Sequence, residues 1–228
     1  MIKKHPARIE LGAILRLAGP LIASQLAHML MVLTDTLMMA RLSPEALAGG
    51  SLGAASYSFV SIFCIGVIAA VGTLVSIRQG AGDIEGATRL TQAGLWLAWA
   101  LAAPLVMVVA YGGMRILMAA LTQMRDGIFA KVAMNAVRRL AYVEAAGQFL
   151  LLLPLALPGY MTFMALRGFT SAMGRATPVM VISLIGTVAN FLLNYALITG
   201  MFGLPKLGLM GIGLVTAIVA TAMALGLT

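Results

Sequence analysis

Six stretches of this chain are apolar and about 20 residues long, the length a helix needs to cross the hydrocarbon core of a bilayer. They cover residues 17–40, 57–77, 93–114, 145–164, 178–198 and 209–227. Turn-forming or charged residues separate them, as in Arg78-Gln79-Gly80-Ala81-Gly82-Asp83 and Gly174-Arg175-Ala176-Thr177-Pro178. The runs are continuously apolar, where a membrane strand would alternate every second residue. A helix also satisfies its own backbone hydrogen bonds, which lipid cannot do for it. The expected fold is all-α: a polytopic membrane bundle of six transmembrane helices over residues 17–228, after a cytoplasmic tail over residues 1–16.

Composition agrees with a lipid-facing exterior. Charged residues make up 10% of the chain, against roughly 25% in a soluble domain. A net charge of +8 in a soluble protein would point to nucleic acid. Here the Lys and Arg residues fall almost entirely between the apolar runs, at headgroup depth, without a basic run interleaved with aromatics. Membrane lipid is the expected partner, and nucleic acid is not. The single cysteine, Cys64, lies inside an apolar run, which excludes an internal disulfide and a CxxC metal site.

The first run is too long for a signal-peptide core and is followed by Arg41 instead of a small-residue cleavage site, so it belongs to the mature protein. Lys3, Lys4, Arg8 and Arg16 place the N-terminus in the cytoplasm. The connection 121–144 would then lie outside, although it carries Arg125, Lys131, Arg138 and Arg139. Its Phe129, Val132, Ala136 and Leu140 recur at helical spacing and predict an amphipathic helix lying on the membrane. Gly94, Ala98 and Ala102 form a small-residue ridge, and Gly208, Gly211 and Gly213 crowd the start of the last run, both suited to close helix approach. Pro20, Pro154 and Pro158 predict bends or irregular turns. The chain stops at Gly226-Leu227-Thr228 with no charged tail, which reads as a cut at the end of a helix.

Within the six runs there is one carboxylate, Asp35, and one histidine, His28. A charge at that depth costs about 2.5–3.5 kcal/mol on insertion scales, so an acid there is a functional hypothesis by default. Ser24, His28, Met31 and Asp35 stand at offsets 0, 4, 7 and 11, along one helix face, which should line a cavity or a seam. Low dielectric disfavours the charged carboxylate, so loading with a proton is feasible. A second stripe, Ser183, Thr187, Asn190 and Asn194, repeats the offsets 0, 4, 7 and 11. Its two amides suit a carboxylate, a water or a small cation. Plain structural readings stand beside these: an acid or amide pair serving as interhelical glue, and a histidine bonding a backbone carbonyl.

No phosphate-binding GxxxxGK[ST] loop, HExxH, paired membrane carboxylates or Cys/His cluster occurs. Direct ATP drive within the chain, a resident cofactor and enzyme activity are therefore not expected. His28 and Asp35 on one face leave a membrane-embedded enzyme as an alternative of another class, though no matching serine or second acid accompanies them. Binding and moving a solute fits better.

Two blocks carry a resemblance. The first is AGPLIASQLAHMLMVLTDTLMMARLSPEALAG, with Pro20, Gln25, Asp35, Leu47 and Ala48 in a pattern of proline, Ser-Gln, Asp-Thr and a short loop running into Leu-Ala. The second runs from Pro158 to Ile218 and holds Leu-Arg-Gly-Phe, Gly-Arg-x-x-Pro, Asn-x-x-Leu-Asn-Tyr and Phe-Gly-Leu-Pro-x-Leu-Gly in order. The chain resembles the multidrug and toxic compound extrusion (MATE) family over its whole length, but only the first of that family's two six-helix halves.

The resemblance implies half of a two-lobed, twelve-helix secondary antiporter in the bacterial cytoplasmic (inner) membrane. It would expel small cationic organic molecules in exchange for protons or sodium ions. Asp35, Asn190, Asn194 and Thr216 fall on the family's coupling-ion residues, Thr216 being raised by the resemblance alone. Gln25, His28, Met31 and Thr187 are the expected substrate pathway. No metal is implied beyond a sodium ion at Asp35. His28 stands where many relatives have glutamine, and Asn194 where some have aspartate. The missing C-terminal half, or a second copy, would be the partner in transport. A lipid-linked precursor flippase and an inactive fragment are the remaining alternatives.

Overall fold

The computed structural model of the chain describes residues 6–125, 134–203 and 205–228. Among them the structure is all-α. The helices are α1 (Pro6–Leu42), α2 (Pro44–Gly80), α3 (Ile84–Arg125), α4 (Met134–Leu152), α5 (Ala156–Ala172), α6 (Ala176–Thr199) and α7 (Gly208–Leu225). Six spans are long and apolar enough to cross a membrane: Ile14–Leu42, Pro44–Gly80, Ile84–Gly112, Ala141–Ala172, Ala176–Thr199 and Gly208–Leu225. Each overlaps one of the six apolar runs. Phe59, Phe63, Trp96 and Trp99 stand exposed on the exterior, as expected of surfaces meant for lipid. The chain is a multi-pass membrane protein.

The helix ends follow local chemistry that apolar runs alone miss. The loop expected between the first two spans shrinks to Ser43. Its hydroxyl accepts a hydrogen bond from the Ala46 N–H at 3.0 Å, and Pro44 fills the first helical position, where a missing N–H costs nothing. Helix α2 therefore starts well before the apolar run at Tyr57. Between α2 and α3 the chain turns at Gly82, whose φ of 79° needs a glycine. Asp83 then accepts from the Gly86 N–H at 2.8 Å and from Arg78 at 3.0 Å. The Gly86 N–H first, and the guanidinium after it, hold the Asp83 carboxyl below the usual carboxylate range.

The fourth span is broken. Pro154 has no N–H to offer the Leu150 carbonyl, so α4 ends at Leu152 and a 3-10 turn, Leu153–Leu155, leads into α5. Pro20 and Pro104 sit inside α1 and α3, which continue past them, and Pro158 lies near the start of α5. Of the surface helix expected over 121–144, residues 121–125 belong instead to the end of α3 and 134–144 to α4, and 126–133 lie outside the described residues.

Small residues set the packing, as membrane helices require. Helix α1 lies chiefly along α6, while α2 contacts α3, α4 and α5, and α7 is held between α4, α5 and α6. Ala98 and Ala102 are fully buried with Cys64, Leu157 and Met161 in one cluster. Gly159 lets α5 approach α7 so closely that an added Cβ would stand 2.8 Å from the Thr221 nitrogen. At the break in the fourth span, a Cβ on Gly213 would stand 3.0 Å from the Leu153 nitrogen.

Candidate functional site

The seam between α1 and α6 gathers most of the polar groups buried in the bundle. Ser24 on α1 and Ser183, Asn190 and Asn194 on α6 are all buried, the two asparagines completely. The Ser24 hydroxyl donates back to the Leu21 carbonyl at 2.8 Å. The Thr187 hydroxyl stands 2.9 Å from both the Ser183 carbonyl and the Ala27 carbonyl across the seam. It has one proton to give, and either acceptor keeps it at the helix contact. Thr187 thus sits in the seam and not on the cavity wall, because its hydroxyl turns toward α1.

Higher in the seam, Asp35 is surrounded by side chains of two other helices. Its Oδ1 accepts from Asn194 Nδ2 at 2.7 Å, the short distance of a charge-assisted bond. Asn194 Nδ2 also donates to Asn190 Oδ1 at 3.2 Å. Thr216 on α7 places its hydroxyl 3.4 Å from Asp35 Oδ2 and 2.9 Å from the Ile212 carbonyl. With a single proton, Thr216 favours its own helix and stands in reserve beside the acid. Two buried atoms have no partner: Asn190 Nδ2, a donor, and Asn194 Oδ1, an acceptor. Such orphans cost about 1–3 kcal/mol each, so the cluster is built to take one more polar species.

Asp35 also faces a cavity of about 480 Å³ between α1 and α2 on one side and α4, α5 and α7 on the other. That volume lies within the range of drug-sized sites. His28, Met31 and Met39 of α1 line it, as do Phe149, Phe163 and Met223 across from them. The His28 ring stacks on Tyr160, with centroids 5.6 Å apart and planes 22° from parallel. Gln25 lies apart from the cavity, its Oε1 3.5 Å from both terminal nitrogens of Arg167. The structure therefore brings Asp35, Asn190, Asn194 and Thr216 together. It sets His28 and Met31 on the cavity wall and leaves Gln25 and Thr187 off it. Among the described residues no group of three or more His, Cys, Asp and Glu side chains gathers.

Several cavity residues escaped the sequence reading. Ser51, Tyr57, Ser58 and Ser61 of α2 and Tyr160 of α5 all line the cavity. A signal existed: Ser51, Ala54, Ser58, Ser61 and Ile65 stand at offsets 0, 3, 7, 10 and 14, a helical face. Its first part, Ser51 and Ala54, was hidden because the apolar run begins only at Tyr57, while the helix begins at the Ser43–Pro44 cap.

Known proteins share this sequence and this architecture. A family model described as MatE matches residues 20–196. A Pseudomonas putida relative named probable multidrug resistance protein NorM is 70% identical over 218 residues, which is 96% of this chain and 44% of the relative. A Pseudomonas aeruginosa relative named multidrug resistance protein PmpM is 33% identical over 223 residues, again 96% of this chain and 43% of the relative. The chain spans about half the length of the curated relatives it matches.

One similar solved structure is described as the outward-facing conformation of a multidrug resistance MATE family transporter of the MOP superfamily. It has a TM-score of 0.61 and 23% identity over 94% of this chain and 43% of its own. Another, described as MATE in complex with MaD5, has a TM-score of 0.65 at 21% identity over 94% of this chain and 44% of its own. At those identities the likeness speaks for the fold alone. The family model and the relatives together cover nearly all of this sequence, and the chain belongs to the MatE family.

Proposed function

We propose that this chain is the ion-coupling half of a multidrug exporter that exchanges a proton or a sodium ion for a small cationic organic molecule. The observation that carries the proposal is the double position of Asp35. One oxygen is held by Asn194 at 2.7 Å, and the same side chain faces the cavity. A single carboxylate cannot neutralise two cations at once, so ion and drug compete for it, and such competition is a coupling free energy between the two ligands. A proton on Asp35 removes the charge that shortens the Asn194 bond. A sodium ion would take the oxygens of Asp35 and the unpartnered Asn194 Oδ1, the ligand type hard cations prefer. Either loading loosens the tie between α1 and α6 and alters the cavity wall that α1 provides.

In this reading the protein sits in the bacterial inner membrane with its N-terminus in the cytoplasm, where Arg16 and the basic tail meet the inner leaflet. Transport needs a second half, either the C-terminal lobe of a longer protein or another copy, because alternating access rocks two repeats around a central site. The test is export of a cationic dye from efflux-deficient bacteria. Three proteins are compared: this chain alone, the chain joined to a second half, and the joined protein with Asp35→Asn. Export by the joined protein alone, stopped by Asp35→Asn, supports the proposal. Undiminished export by the Asp35→Asn protein removes Asp35 from the coupling role.

A further inference from the structure

The cavity has a second polar end that the ion-coupling network does not use. His28 lies seven residues before Asp35 on α1, two turns or about 10 Å along the axis. There it stacks on Tyr160. Tyr160 packs with Tyr57 against Ala156, Ala217 and Ala220. One turn on from Tyr57, Ser61 also faces the cavity.

Ser61 is the unusual group. It is 4% exposed, and its hydroxyl, beside that of Tyr57, meets no partner at full hydrogen-bond geometry. Many hydroxyls in these helices return to the carbonyl four residues earlier, as do Thr91, Thr162 and Thr221 at 2.9, 2.7 and 2.9 Å; Ser171 is also unpartnered, but it lies off the cavity. Ser61 forgoes that bond and stays unpaired at a wall where a solute would lie. The cost of a buried unpaired hydroxyl is recovered when a ligand supplies the partner.

The charge around this end selects the partner. Asp35 is the one carboxylate among the cavity-lining residues, and it stands at the other end. Hydroxyl donors with no carboxylate at their end of the cavity favour an electron-rich oxygen over a second cation.

Resting on the exporter reading above, we propose that Tyr57, Ser61 and Tyr160 form an acceptor subsite. It selects molecules carrying a carbonyl or comparable oxygen about 10 Å from their cationic amine. The aromatic middle of such a molecule lies against the His28–Tyr160 stack and the methionine-lined wall, with its amine at Asp35.

The test uses the full-length protein, this chain joined to its second half, purified and tritium-labelled ligand binding as the readout. The probes are two aromatic amines of equal size. One carries a ketone about 10 Å from the nitrogen and the other a methylene in its place. The unmodified protein is expected to bind the ketone about five- to tenfold more tightly, the worth of one buried neutral hydrogen bond. In Ser61→Ala and in Tyr57→Phe that preference is expected to fall to within about twofold. Thr91→Val, which removes a buried hydroxyl that lies off the cavity, should retain it.

Equal binding of both amines by the unmodified protein, or a preference that survives in both hydroxyl variants, overturns the subsite. If Asp35→Asn still weakens both amines in that case, the exporter reading stands without it. If neither amine binds the unmodified protein, or both bind independently of Asp35, the cation site fails and the subsite fails with it.

Discussion

Helices α6 and α2 both carry a polar stripe through the membrane, and the two stripes meet different fates. On α6, Ser183, Thr187, Asn190 and Asn194 turn toward α1 and are closed in by it. On α2, Ser51, Tyr57, Ser58 and Ser61 turn toward open space, and the Ser61 hydroxyl is left without a partner. A polar group at membrane depth needs something to bond. On α6 a neighbouring helix supplies most of it, leaving only Asn190 Nδ2 and Asn194 Oδ1 beside Asp35 unpartnered; on α2 the Ser61 hydroxyl faces the cavity without a partner. A polar helical face thus serves as a fastening in one helix and as a lining in the other. What decides is the neighbour: small α1 residues such as Ala27 let α6 come close, whereas the α2 stripe faces the cavity, with α4, α5 and α7 beyond it.

Four substitutions in the full-length protein bear on this contrast, beginning with the largest effect. Asp35 is where fastening and lining meet, so Asp35→Asn should lower dye export by a hundredfold or more, a loss of at least about 2.7 kcal/mol in the coupled cycle. Asn194→Ala removes the donor at 2.7 Å while keeping the acid. Coupling-ion affinity should fall by about tenfold to a hundredfold, as for other charged hydrogen bonds, read from the ion concentration giving half-maximal export.

Ser58→Phe tests the lining. It fills part of the cavity, so discrimination against the bulkier of two dyes should grow by about tenfold, the scale of a few methylenes in a pocket, with little change in melting temperature. Thr187→Val tests the fastening. It should cost about 0.6 kcal/mol of stability, the average for an interhelical hydrogen bond in a membrane, seen as an earlier midpoint in denaturant while the dye preference holds. A Thr187 variant that changes dye preference without changing stability would erase the distinction between the stripes.

Much of this was legible in the sequence because membranes impose strong rules. Six long apolar runs fix six spans, and one acid in all of them is hard to miss. Asp35 was found from its cost, and Asn190 and Asn194 from their spacing; each meets the others in the structure. Periodicity could not tell that Thr187 faces a seam, since a stripe reports a face and not its neighbour. Thr216 carried no signal of its own, one hydroxyl in an apolar helix being unremarkable. The Tyr57–Ser61 wall was missed for another reason. Tyr57, Ser58 and Ser61 lie inside the apolar run, where isolated hydroxyls do not tell which face meets a cavity; only Ser51 and Ala54 precede it, because the cap at Ser43 starts α2 more than three turns before Tyr57. Pro154 gave the break in the fourth span, because the residue itself removes the bond.

Ser43 has a mechanical side as well. It alone joins α1 to α2, and a one-residue joint has no slack. Asp35 is about two turns from it, and the cavity-facing side of α2 begins about two turns beyond. Any tilt or twist of the upper part of α1, when its tie to α6 loosens, is passed into α2 as torque instead of being absorbed by a slack tether. The two walls of the cavity on that side meet at this joint, so that in the proposed exchange an event at one carboxylate would reshape a whole corner of the chamber.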